Sequence, residues 1–141
     1  MSIRRRILIG LAATGLFVLA AVTIWALPMF TGPTLPAGAT RLQIATERPG
    51  LTFGCAAALL SPVRVEAAGD DLAVVYVESG KRANVVWPAG FAAWRVDGRA
   101  VLADAWGRVV GRDGDVLDSL GGGLGLGDDF HVCPFGIVTH D

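Results

Sequence analysis

From Ile7 to Phe30 the chain runs for 24 residues without one charged side chain. A segment so apolar must leave water, either in a core or in a lipid phase. Helices of a globular core keep a polar face, and this run has none. Crossing about 30 Å of hydrocarbon takes about 20 apolar residues at roughly 1.5 Å each, and Ile7 to Leu27 supplies 21. Arg4, Arg5 and Arg6 stand just before it, and arginine-rich flanks stay on the cytoplasmic side. The expectation is a basic segment 1–6 inside, a single membrane pass over 7–30, and everything downstream outside. Trp25 then falls near the outer boundary, where an indole suits the headgroup layer. The competing reading is a signal segment cleaved at a small-residue site, with secretion of the rest. The one matching tripeptide, Ala37-Gly38-Ala39, lies well beyond the apolar run, so the retained anchor is expected. Lipidation would need a cysteine directly after the run, and the first is Cys55.

Away from the arginine triplet, nine basic residues face thirteen acidic ones. Nucleic-acid binding draws its affinity from phosphate neutralisation, so a mildly acidic domain with scattered arginines argues against that partner. Lys81 is the sole lysine beside eleven arginines, a bias that suits a GC-rich bacterial source. Together with the topology, this implies the bacterial cytoplasmic membrane with an extracytoplasmic domain at 41–141. Residues 31–40, with Pro33, Pro36, Gly32 and Gly38, read as an extended spacer that holds that domain clear of the headgroups.

Two cysteines remain, Cys55 and Cys133. An even count in an oxidising compartment implies pairing. The bond would join the first part of the domain to the last, contributing about 4–5 kcal/mol on a chain-entropy reckoning. Two separate buried thiols are the alternative.

No part of 41–141 keeps a helical period for three turns; alternation of period two recurs instead. Strand-like runs are expected at 41–46, 63–66, 72–78, 84–87, 91–96, 99–103, 108–110, 116–117 and 130–133. Asp97-Gly98 between two of them is a two-residue hairpin signal. The one short helix candidate is 55–60. Turn signals at this spacing predict a mainly β domain, an OB-like barrel or a sandwich of five to eight short strands.

Val86-Trp87-Pro88-Ala89-Gly90-Phe91, Gly107-Arg108-Val109-Val110, Gly114-Asp115-Val116 and Gly121-Gly122-Gly123 together resemble a family of small bacterial exported domains. These share a Trp-Pro-x-Gly turn, a Gly-Arg-Val-Val strand, a Gly-Asp-x-Val turn and a closing glycine cluster, with a Gly-Cys pair upstream that Gly54-Cys55 matches. The resemblance spans about half the domain and implies a compact extracytoplasmic β-barrel, with no activity attached. It departs from the pattern at Asp118-Ser119, which intrudes before the glycines. Read from the residues alone, Trp87, Trp94 and Trp106 are foremost core anchors, two of which a barrel of this size can bury.

Chemistry is sparse. Gly121 to Gly127 has neither the spacing nor the Lys-Ser/Thr of a phosphate loop, and reads as a mobile surface loop. No serine sits in a G-x-S-x-G elbow. Asp70-Asp71 and Asp113/Asp115 fall in turns, where aspartate bonds local backbone. His131, Cys133 and His140 have donors for zinc or copper, but Cys133 is wanted for the disulfide and His140 lies at a terminus. The expectation is therefore no enzyme and no cofactor: a tethered module that binds another envelope component, protein or glycan, through the loops at Trp87, Pro88 and Gly90 and at Gly121, Gly122 and Gly123. A metal-binding envelope protein using His131, Cys133 and His140 is the alternative.

Overall fold

A computed structural model describes residues 3–49, 55, 58–60, 62–125 and 127–139. It has one helix followed by a mainly β domain, as expected. Helix α1 spans Ile3–Thr31. It stops at Gly32, whose φ of 67° is the left-handed conformation that ends helices, and Gly32 N–H donates to Pro28 O at 2.8 Å. The hydroxyls of Thr23 and Thr31 donate back to Leu19 O and Leu27 O.

Among the described residues the strands are β1 (Thr40–Leu42), β2 (Ala58–Leu60), β3 (Val63–Ala68), β4 (Asp71–Tyr76), β5 (Arg82–Ala83), β6 (Val85–Val86), β7 (Ala92–Val96), β8 (Arg99–Ala103), β9 (Val109–Arg112), β10 (Val116–Leu124) and β11 (Phe130–Thr139). They form two sheets. One has the order β1-β7-β8-β9; the other runs β5-β4-β3-β10-β11-β6, with β2 also on β10. Eleven strands exceed the five to eight expected because several are only two or three residues long. The hairpin at Asp97-Gly98 forms as read: both residues have positive φ, and Val96 pairs with Arg99 across it.

Both sheets send alternate side chains into one core. Val63, Val65, Leu72, Val74, Leu117 and Leu120 come from the larger sheet, and Leu42, Ala93, Ala100 and Leu102 from the smaller. Trp87 lies among them at 1% exposure and stacks on Phe91, ring centroids 5.9 Å apart. Trp94 anchors a second cluster with Val101, against which Leu35 and Ala39 pack. The expected extended spacer therefore touches the domain through Leu35 and Ala39, because these apolar residues find cover there.

Two further expectations need correction. The helix candidate at 55–60 is a strand where it is described: Ala58–Leu60 pairs with β10. A short apolar run has no period that separates helix from strand, and the open edge of β10 decides it. The loop expected at Gly121 to Gly127 is, through Leu124, the end of β10. Here β10 advances two residues, from Leu120 to Gly122, while its partner covers five, from Ile137 to Val132. That bulge in β11 holds Cys133, Pro134, Phe135 and Gly136, and so carries a proline through a strand that needs ladder donors. It also explains why the last strand does not stop at Cys133.

Candidate functional site

The C-terminal end of α1 is in contact with the domain. Two turns of the domain receive it. Pro88 to Phe91 closes with Phe91 N–H on Pro88 O at 3.2 Å, and Gly90 takes φ 85°. A Cβ placed on Gly90 would stand 2.7 Å from Ala105 Cβ, 2.8 Å from Pro28 O and 2.9 Å from Met29 Cα. Glycine is thus required twice there, for its φ and for lack of a side chain, and the contact it permits is with the helix backbone.

The second turn, Asp104 to Arg108, is organised by one carboxylate. Asp104 is 5% exposed. Its Oδ1 accepts from Trp106 N–H and Arg108 N–H, each at 2.9 Å, and its Oδ2 accepts from Arg108 Nε at 2.6 Å. A buried carboxylate needs such compensation, and here it fixes the direction in which Trp106 and Arg108 leave the turn. The Arg108 guanidinium lies 5.6 Å from the centre of the Trp106 ring. That tryptophan also meets the helix: Trp25 and Trp106 have ring centroids 5.7 Å apart at 47°. A groove of about 490 Å³ separates helix end from turn, walled by Ile24, Leu27, Pro28, Ala105 and Trp106.

The sequence-predicted residues are distributed differently from expectation. Trp87 is core. Pro88 is buried, and Gly90 faces α1. Gly122 and Gly123 pair with β11, and Gly121 pairs with Leu59 of β2. The two expected binding loops therefore do not form one face. Cys55 and Cys133 are joined, with Cα atoms 5.9 Å apart. His131 Nδ1 lies 2.7 Å from Glu47 Oε1, so the structure directs Cys133 to Cys55 and His131 to Glu47, not to each other. His140 lies outside the described residues. Among the described residues no group of three or more His, Cys, Asp or Glu is placed to hold a metal ion. Of the turn carboxylates, Asp115 bonds locally, its Oδ2 accepting from Arg112 N–H, whereas Asp113 Oδ1 accepts from Ala67 N–H in another strand, both at 2.8 Å.

Sequence reasoning gave no role to Asp104 or Glu47. Asp104 had a signal, since Asp at the first position of a turn with Gly at the fourth, here Gly107, is a type I pattern. Glu47 had none, because its partner lies 84 positions away. No protein-family model matches the chain, and no curated protein or solved structure shows significant similarity to it.

Proposed function

We propose that this chain is a single-pass protein of the bacterial cytoplasmic membrane whose β domain stands outside as a non-enzymatic binding or structural module, meeting another envelope protein or a glycan. One observation supports the anchor on which the reading rests: Ala13–Thr31 is 19 residues with a mean hydropathy of 1.9, and none of it is buried in the protein. Water gives so much exposed apolar surface no place, and a bilayer does. The hydroxyl bond of Thr23 to its own helix suits a medium without water.

The Gly90 contact favours a retained anchor over cleavage at Ala37-Gly38-Ala39. Cleavage there would remove Pro28 and Met29, against which Gly90 fits. The joined cysteines suit an oxidising compartment. The likeness of the Trp87 to Phe91 and Gly107 to Val110 segments to small exported domains points the same way.

Alkaline carbonate extraction of native membranes, with a membrane-impermeant maleimide applied to intact cells, tests this. The expected result is a full-length chain that stays in the pellet, its thiols labelling only after denaturation and reduction. Release into the supernatant ends the anchor reading; labelling of intact cells without reductant ends the disulfide.

A further inference from the structure

The helix sets the depth of the turn that touches it. Measured from Ile7, about 30 Å of hydrocarbon at roughly 1.5 Å per residue is used up near Ala26. Trp25 therefore lies at the outer hydrocarbon boundary, and Leu27 to Thr31 lie within the headgroup layer. Trp106 is 5.7 Å from Trp25, ring centre to ring centre, so it shares that depth. Arg108 is 5.6 Å from Trp106, with its side chain 73% exposed.

We infer that the Asp104–Arg108 turn is a lipid-contacting foot: Trp106 sits among the phospholipid headgroups and Arg108 bonds lipid phosphate. The inference rests on α1 spanning the membrane, and it adds that the domain is seated on the bilayer and not suspended above it. The chemistry of the turn fits that occupant. An indole is amphipathic and favours the interface. A guanidinium takes phosphate oxygens in a fork, and Asp104 engages Arg108 through Nε alone among the bonds the structure shows between them. Asp104 itself is 5% exposed, so its charge is withheld from the phosphates. The groove beside Trp106 has apolar walls from both helix and turn and continues the lipid-facing surface of α1.

The full chain, reconstituted in vesicles of phosphatidylcholine and phosphatidylglycerol with brominated acyl chains, provides the test. Trp87 and Trp94 are buried in the domain and serve as the unquenched background. Trp106→Phe is expected to remove a share of the bromine-quenchable emission comparable with that removed by Trp25→Phe. Arg108→Gln is expected to lower the quenching of Trp106 while leaving that of Trp25 unchanged. If only Trp25→Phe removes quenchable emission, the domain stands clear of the lipid and the foot is overturned while the anchor survives. If wild-type emission is not quenched at all, α1 is outside the bilayer and the proposed function falls with it. Circular dichroism of each variant separates a lost contact from a lost fold.

Discussion

Gly90 and Gly122 look alike in the sequence, each beside a hydrophobic strand in a glycine-containing segment, yet the structure uses them for opposite purposes. Gly90 has a φ of 85° and presses on the backbone of α1 at Pro28 and Met29. Gly122 is not among the positive-φ glycines. It sits in β10 where the bulge in β11 brings the carbonyl of His131 and the ring of Phe130 over it. One glycine joins the domain to its helix. The other holds two strands of the domain together. A glycine is thus required either by backbone torsion or by close approach, and only the partner element reveals which.

Alanine at the two positions should separate these roles. Gly122→Ala is the larger insult. Its Cβ would meet backbone and a core ring, where overpacking costs about 1–3 kcal/mol and sometimes more. We expect the upper end of that range or beyond, read as a loss of domain stability in denaturant with or without α1. Gly90→Ala adds a torsional cost of about 1–2 kcal/mol; lifting the helix end can relieve its conflicts with Pro28 and Met29, while the approach to Ala105 Cβ stays within the domain. The domain should therefore lose that torsional amount and part of an overpacking cost at Ala105, about 2–3 kcal/mol together, with disappearance of the Trp25–Trp106 contact seen as a change in tryptophan emission. Equal losses of domain stability in both variants would break the distinction.

Legibility in the sequence follows the same division. The helix was readable because its signal is local, an uncharged run of membrane length. The hairpin at Asp97-Gly98 and strands such as Val63–Ala68 and Ala92–Val96 were readable for a similar reason, period two beside a turn. Trp87 and Trp94 as core anchors followed from size and apolarity. The Gly121–Gly123 segment was misread because a run of glycines looks like a loop until its partner, with Gly136 facing Gly121, is known. Strand β2 was missed because three apolar residues carry no period. The contact of the 31–40 spacer with the domain was not legible because Leu35 has no visible partner until Trp94 is folded nearby. Of the candidate site, the cysteine pair was legible by arithmetic, whereas the junction of Trp25 with Trp106 joins residues 81 positions apart that nothing local connects.

The junction can be sharpened at its carboxylate. Asp104→Asn keeps an oxygen for the N–H groups of Trp106 and Arg108 and removes the charge that holds Arg108 Nε. Hydrogen bonds to charged groups are worth about 1.5–3 kcal/mol. With Arg108 73% exposed, solvent screening brings the expected loss down to about 1 kcal/mol. Thermal unfolding measures it, and the emission of Trp106 reports whether the ring has moved. A loss as large as that of Gly122→Ala would mean that the turn belongs to the domain core and not to the junction.

The smallest effect is expected at the pair that links residue 47 to residue 131. Glu47 and His131 have side chains 30% and 38% exposed, so water competes for both. Glu47→Gln preserves an acceptor for His131 Nδ1 and removes only the charge, which for partly exposed pairs amounts to about 0.2–1 kcal/mol. The histidine has a second restraint, since a Cβ on Gly125 would run into its ring. Gly125→Ala should therefore cost more than Glu47→Gln, because it displaces the imidazole by steric force while the other variant leaves it in place. Paired measurements of unfolding free energy decide the order. If Glu47→Gln proves the more costly, the carboxylate and not the close fit at Gly125 positions His131, and the glycine at 125 joins neither class.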